Sequence, residues 1–200
     1  MKGTIILGRL CFLLFAWPSF ASSAPKLAIQ QSKLSVGTSL GYHSTRFLNV
    51  DGRNSSFHGP LFGIDLNVVL TSNLGLRILG NHALGNSSGD GNLVSTGYGG
   101  GLRVTLFEGI YLYTTYLVFN QAISVNGIQT KFSHGALDFA ASAELFNWED
   151  LILGFYSSYG TGPVSKSENP ALSGNSGFDR FQALATITWS PSSLSIASPQ

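Results

Sequence analysis

The stretch Phe62-Gly63-Ile64-Asp65-Leu66-Asn67-Val68-Val69-Leu70 decides the fold of this chain. Every even-numbered residue in it is apolar, and three of the four odd-numbered residues are glycine or polar. Successive side chains of a β-strand point to opposite faces, so this stretch predicts a strand with one apolar face. The short link Thr71–Asn73 then leads into a second alternating stretch that begins at Leu74. Two such stretches joined by a tight link predict an antiparallel hairpin.

The same alternation recurs from Lys33 to Trp189, and it predicts eight strands whose links are short at one end and long and polar at the other. The fifth predicted strand is apolar on both faces, so its facing stays open. This pattern is typical of a membrane barrel, and the predicted fold class is all-β, an eight-stranded antiparallel up-and-down transmembrane β-barrel. The predicted strands are Lys33–Arg46, Pro60–Leu70, Leu74–Asn81, Ser95–Phe107, Ile110–Asn120, Ser133–Phe146, Leu151–Tyr159 and a last strand that ends at Trp189. The predicted long loops are Phe47–Gly59, His82–Val94, Gln121–Phe132 and Gly160–Asp179.

The N-terminus has the features of a secretion signal. Lys2 and Arg9 precede a short apolar run, and small residues surround Ala21, where we predict cleavage. The domain prediction is therefore a signal peptide over 1–21, a periplasmic segment over 22–32, the barrel over 33–189 and a flexible tail over 190–200. The single cysteine, Cys11, lies within the signal, so the mature chain offers no disulfide or thiolate site.

The composition also favours a lipid-exposed barrel. Charged residues make up 10% of the chain, well below the usual content of about 25% in soluble domains. Once Lys2 and Arg9 are removed, nine basic and ten acidic side chains remain, a balance that gives no reason to expect a nucleic-acid partner. The alternative is a soluble β-sandwich or lipocalin-like barrel, whose apolar face would point into a core. Sparse, evenly spaced charges on the other face favour the membrane barrel. Aromatic residues near the short turns are predicted to lie at the membrane interface: Phe107, Tyr111, Trp148 and Trp189.

The sequence resembles the small eight-stranded outer-membrane barrels typified by the transmembrane domain of outer-membrane protein A and by outer-membrane protein X. The resemblance covers Lys33 to Trp189 and rests on the strand pattern. It implies that the last strand, which ends in the aromatic Trp189, is read by the barrel-assembly machinery. Ser190–Gln200 departs from the family, in which many barrels stop at the aromatic residue. We expect no soluble peptidoglycan-binding domain after the barrel, so the resemblance does not imply anchoring to the cell wall.

An eight-stranded barrel has a lumen only wide enough for its own side chains. Charged side chains there require partners, so the sequence predicts a salt-bridge plug in which two arginines face three carboxylates. A gated ion path through the same residues is the alternative. The predicted plug residues are Asp65, Arg77, Arg103, Asp138 and Glu144.

The four histidines raise the question of catalysis, because enzymes that modify lipid A occur on this architecture. His43 and Ser44 are adjacent, so they point to opposite faces of one strand and cannot act together. The histidine-serine spacing of the family's lipid A deacylase is absent. We therefore predict no enzyme, no catalytic residue, no metal site and no cofactor.

Small residues occupy outward positions of two predicted strands near the end of the chain: Ala141, Ala143, Ala183 and Ala185. Small side chains let membrane surfaces approach closely, so this face is a candidate for homo-oligomer contacts. Alternatively, alanine is simply tolerated where neighbouring strands crowd. The leading functional prediction is a non-enzymatic barrel in the outer membrane of a Gram-negative bacterium that organises or stabilises the lipid bilayer. The predicted partners are outer-membrane lipid, the assembly machinery and further copies of the chain. An adhesin or receptor acting through the four long loops, or a narrow pore, is the alternative.

Overall fold

The computed structural model describes residues 34–50, 53–87, 91–125, 127–164, 166–167 and 177–191. The predicted signal peptide, the segment over 22–32 and most of the predicted tail lie outside these residues. Within them, eight long antiparallel strands form one closed barrel, as the alternation predicts. We number them β1 (Leu34–Val50), β2 (Arg53–Val69), β3 (Leu74–Asn86), β4 (Gly91–Phe107), β5 (Ile110–Val125), β6 (Ile128–Trp148), β7 (Leu151–Pro163) and β8 (Gly177–Trp189). A two-residue strand, Lys166–Ser167, adds two pairs to β6 and receives no number.

Each strand pairs with its neighbours in sequence, and β1 pairs with β8 to close the sheet. Closure leaves no open strand edge, which is the condition for a sheet inside lipid. Short turns join the strands at one end. In one of them, Gly109 has a φ of 76°, a left-handed conformation that glycine adopts without a steric penalty. The described part of the chain contains no helix with the length and apolarity needed to cross a membrane.

The register of the pairs gives the stagger of the barrel. Starting at Ser44 on β1, the chain of partners passes once around the barrel and returns to β1 at Leu34, ten residues earlier. With eight strands, a stagger of ten residues corresponds to strands tilted by about 40°. The lumen of such a barrel is filled by side chains. The intermediate partners are Phe181, Tyr159, Phe139, Thr114, Leu102, Leu76 and Val68.

The outer wall near the short turns is an apolar belt. Large side chains on outward positions are exposed there, such as Ile78 at 60% and Leu40 at 64%. A girdle of aromatic residues bounds this belt on the side away from the short turns. The aromatic girdle consists of Tyr42, Phe62, Tyr98, Tyr116, Phe139, Tyr159 and Phe181. In the register, most strands cross the belt in about nine residues, as transmembrane strands do. The facing of β5 is also settled: Ile110 and Leu112 point outward, and Tyr111 and Tyr113 point into the lumen.

The prediction of long loops was wrong for Phe47–Gly59, His82–Val94 and Gln121–Phe132. The structure places nearly all of these residues in strands, so β1 continues to Val50 and β6 begins at Ile128. Part of Gly160–Asp179 is also strand, because β7 runs to Pro163 and β8 starts at Gly177. The physical reason is a change of face. Inside the belt the apolar side chains point outward. Beyond the aromatic girdle they point into the lumen, and the outward positions are mostly polar.

Candidate functional site

The lumen nearest the short turns contains a bridged charge pair. The guanidinium of Arg103 lies over the Tyr111 ring, 4.5 Å from its centroid. The Tyr111 hydroxyl donates to Oε1 of Glu144 at 2.6 Å. Tyr111 therefore faces the lumen, and its prediction as an interfacial aromatic was wrong. Both faces of β5 carry aromatic and aliphatic residues, so periodicity alone left this position open.

The next layer is built around Arg77. Its Nε lies 3.3 Å from Oδ2 of Asp65, and the same oxygen accepts from Asn67 Nδ2 at 2.6 Å. Tyr113 and Tyr156 cover the two sides of the guanidinium, with ring centroids 4.4 and 4.5 Å from Cζ. This guanidinium thus has a charged partner and two aromatic faces, an arrangement suited to a buried arginine.

Asp138 is hydrogen-bonded by hydroxyl groups. Tyr156 donates to Oδ2 at 3.1 Å, and Ser158 donates to Oδ1 at 3.0 Å. Among the described residues, no arginine nitrogen lies within 4.0 Å of this carboxylate. The expected ion pairs of the plug therefore form directly only for Arg77 and Asp65. Arg103 and Glu144 are joined through Tyr111, and the pairing of Asp138 with Arg77 or Arg103 was wrong.

Arg180 is a lumen charge that the predicted plug omitted. It directly follows the predicted loop Gly160–Asp179, at the start of the last predicted strand, and the alternation was not carried through to it. The residue is 1% exposed. Its Nη1 donates to Oδ1 of Asn81 at 3.2 Å, and its guanidinium lies 4.4 Å from the centroid of the Phe119 ring. Its Nε and Nη2 have no hydrogen-bond partner in the described part of the chain.

An aromatic cap closes the lumen beyond Arg180, and we define it as Phe47, Phe57, Phe132 and Phe178. Their rings pack edge-on or tilted, with centroids 5.2 to 5.9 Å apart. All four are at most 6% exposed. The cap lies beyond the aromatic girdle, at the level where the sequence analysis predicted loops. Its signal was present in the odd positions of β1 and β2 and the even positions of β6 and β8.

His134 lies beneath the cap. Its ring centroid is 4.5 Å from that of Phe178 and 5.4 Å from that of Phe119. One ring nitrogen, Nε2, lies 2.9 Å from Oε1 of Gln121, whose amide donates in turn to Ser95. This histidine therefore belongs to a buried packing network.

Two further histidines lie beside threonine hydroxyls. His43 is fully buried, with Nδ1 2.9 Å from Thr45 Oγ1 and Nε2 3.0 Å from the Leu84 carbonyl oxygen. His82, on the outer wall, lies 3.0 Å from Thr96 Oγ1. No carboxylate is hydrogen-bonded to either ring in the described residues. Nor do these residues include a cluster of three or more histidine, cysteine or acidic side chains that could hold a metal ion.

Among the described residues, an ion pair lies on the outer wall, four residues beyond Tyr42 along β1. Arg46 Nη2 donates to Oδ2 of Asp179 at 2.7 Å, and Tyr159 and Thr161 donate to Oδ1 at 2.9 and 3.2 Å. Partial burial alone would raise the pKa of Asp179. The three hydrogen bonds outweigh that effect, so the pKa lies below its ordinary value.

The outward positions include the remaining predicted residues. Phe107, Trp148 and Trp189 are the last residues of β4, β6 and β8 and are at least half exposed. All four predicted alanines also point outward. The register aligns Ala141, Ser157 and Ala183 in one row across three strands, whereas Phe155 lies between Ala143 and Ala185. The small-residue surface is therefore continuous only along the first row.

Comparisons with solved structures find the same architecture in outer-membrane proteins. Neisserial surface protein A matches with a TM-score of 0.55 at 12% identity, covering 80% of this chain and 97% of the other. Ail, the attachment invasion locus protein of Yersinia pestis, matches with a TM-score of 0.52 at 14% identity, covering 78% of this chain and 99% of the other. No protein-family model and no curated protein sequence matches the chain.

Both matched proteins are small eight-stranded outer-membrane barrels. The length of the strands, the closed register and the apolar belt agree with that comparison. At these identities the likeness concerns the fold. The chain therefore has the fold of the small eight-stranded outer-membrane β-barrels.

Proposed function

We propose that this protein is a non-enzymatic barrel of the Gram-negative outer membrane whose role is structural, and that its outer wall organises the surrounding lipid. One observation carries the proposal: side chains fill the lumen from Glu144 to the cap. The surface that remains for other molecules is the outer wall, and the part of it near the short turns is the apolar belt. A wall of this kind has lipid as its natural partner.

Conduction is disfavoured by the same packing. An ion would have to pass the ring-covered Arg77–Asp65 pair and then the cap, where Phe47 and Phe178 are at most 1% exposed. Opening such a path requires breaking a buried charge pair, which is costly in a low-dielectric interior. The plug is therefore part of the proposal, with the aromatic cap as a second barrier in series.

The test is conductance in planar lipid bilayers together with a membrane-integrity assay. We expect the wild-type barrel to give no stable conductance steps. The double variant Arg77→Ala with Arg103→Ala removes two guanidinium groups from the inner layers, and the further change Phe47→Ala opens the cap. If the plug closes the lumen, we expect these changes to produce measurable conductance. Regular ion-selective steps from the wild-type protein would instead support the narrow pore.

The lipid-organising role is tested in a strain that lacks the protein. We expect this strain to be more permeable to apolar antibiotics. The wild-type chain and a variant without residues 168–176 should both return the permeability to its normal level. The deleted residues belong to the predicted loop Gly160–Asp179. An adhesin acting through this loop would lose binding in that variant. Restoration by the loopless variant supports the structural role, and loss of binding to host material in that variant would contradict it.

Homo-oligomerisation is a second part of the proposal, supported by the row Ala141, Ser157 and Ala183 on the outward wall. Backbones of two copies could approach closely along this row because its side chains are small. Native mass spectrometry in several mild detergents is the measurement. A defined oligomer that the change Ala183→Trp reduces to monomers would support the interface, with Ile78→Trp on the opposite wall as the control. Monomers under all conditions would dispose of it.

Export through the predicted signal peptide and insertion by the assembly machinery complete the proposal. The outward alternation of β8 supports the second step, since Phe181, Ile187 and Trp189 all face the outside. N-terminal sequencing of the mature protein tests the cleavage after Ala21. An intact N-terminus in the purified outer membrane would contradict it.

A further inference from the structure

Arg180 differs from the other lumen arginines in how its charge is accommodated. Arg77 has the carboxylate of Asp65 in direct contact, and Arg103 reaches Glu144 through Tyr111. Arg180 is as deeply buried as either, yet no carboxylate oxygen of the described residues lies within 4.0 Å of its nitrogens. A buried charge without a contacting partner is unfavourable, so something is expected to compensate for it.

The free hydrogen-bond donors lie together. Nη1 of Arg180 is used by Asn81, which leaves the edge formed by Nε and Nη2 without a partner. Nδ2 of Asn81 has none either among the described residues. Two side chains in direct contact thus present three donor nitrogens without a partner. The Nε–Nη2 edge of an arginine matches the two oxygens of an oxyanion in a bidentate fork.

The surroundings fix Arg180 in place. Phe119 covers one face of the guanidinium, and Gly97 makes room for this arrangement. A Cβ at Gly97 would lie 2.4 Å from Phe119 Cε1 and 2.7 Å from Asn81 Oδ1. The aromatic cap lies above, with Phe178 two residues earlier on the same face of β8. The fork is therefore held between the cap and the Asp138 layer.

Among the described carboxylates, Asp138 lies on the same row of the register as Arg180, with Gly160 between the two residues. Its oxygens already accept from Tyr156 and Ser158. We propose that the Nε–Nη2 edge of Arg180, together with Asn81 Nδ2, binds one small oxyanion inside the lumen. This site is independent of the proposed structural role, because it concerns what the closed lumen holds and not what the outer wall contacts.

The experiment uses the full chain folded and crystallised in the presence of selenate, with anomalous diffraction at the selenium edge. Met1 is the only methionine, so selenate is the sole intended source of selenium. We expect an anomalous peak within hydrogen-bond distance of Arg180 Nε and Nη2. A selenium-to-protein ratio of about one, measured after desalting by elemental mass spectrometry, is expected to accompany it.

Two variants make the test specific. Arg180→Met removes the fork, and we expect it to lower selenate occupancy roughly tenfold or more, as loss of a charge-assisted bond predicts. Arg46→Met removes an exposed arginine on the outer wall and is expected to retain the peak. A wild-type structure with no peak at Arg180, or with Asp138 turned onto the fork, would overturn the proposal. So would a peak that persists in Arg180→Met. The wild-type measurement decides the question even if that variant does not fold.

Discussion

Arg77 and Asp65 form a direct salt bridge across the β2–β3 hairpin, at 3.3 Å between Nε and Oδ2. The two residues lie on adjacent strands and both face the lumen, where Arg77 is 4% exposed. Tyr113 and Tyr156 enclose the guanidinium, so water has little access to the pair. The pair therefore links the hairpin to β5 and β7 on the far side of the barrel.

We expect Arg77→Ala to destabilise the folded barrel by about 3–5 kcal/mol, because it leaves the Asp65 carboxylate buried without its cation. The double variant Arg77→Met with Asp65→Asn removes both charges and should lose much less. Denaturant-induced unfolding in detergent, followed by tryptophan fluorescence, measures both. Equal losses in the single and the double variant would contradict the argument from an uncompensated charge.

Gly97 is required for close packing inside the barrel. A Cβ there would lie 2.4 Å from Phe119 Cε1, so Gly97→Ala must displace the ring. Overpacking of this kind typically costs about 1–3 kcal/mol. Gly80 on β3 offers the matched control, since a Cβ there meets no atom within 4 Å. A loss of stability no greater in Gly97→Ala than in Gly80→Ala would show that the Phe119 ring relaxes freely.

The aromatic cap is expected to contribute to stability through its packing. Phe47 is fully buried and contacts three other phenylalanine rings, so Phe47→Ala should cost about 3–5 kcal/mol. Phe62→Ala is the control, because the Phe62 ring is 46% exposed on the outer wall. Comparing the two unfolding midpoints under identical detergent conditions checks the prediction. Similar midpoints would mean that the cap is loosely packed.

The ion pair between Arg46 and Asp179 should give stability a weak dependence on pH. Hydrogen bonds from Arg46, Tyr159 and Thr161 hold the pKa of Asp179 below its ordinary value, against the opposing effect of partial burial. A carboxylate with a lowered pKa stabilises the folded state above its ordinary pKa, and this contribution is lost as the pH falls through the lowered value. The free energy of unfolding of the wild type should therefore exceed that of Asp179→Asn near neutral pH. The difference, measured by denaturant-induced unfolding at a series of pH values, should shrink below about pH 4. A difference that is unchanged down to pH 2 would contradict the assignment.

The sequence predicted the barrel well where one rule applied to every strand. In Phe62–Leu70 the outward residues are apolar and the inward ones small or polar, and the structure follows that division. The same rule failed beyond the aromatic girdle, where Phe57 and Phe132 turn inward and polar residues such as Arg46 turn outward. Alternation continued there with its faces exchanged, and a search for outward apolar residues read the exchange as loops. Asp65 and Arg77 were recognisable as partners, whereas Arg180 was missed because it lies at the very start of the last predicted strand, directly after the predicted loop Gly160–Asp179.

The position of the aromatic cap has a consequence for the order in which the barrel assembles. Phe47 belongs to the first strand and Phe178 to the last, and the two rings meet only once those strands pair. Contacts between the ends of a chain are the slowest to form because the intervening segment must be closed into a loop. A nascent barrel with an open seam would leave these rings in contact with water. Burial of Phe47 is thus a record of completed closure, and protection of this residue from solvent should appear as the final event of folding.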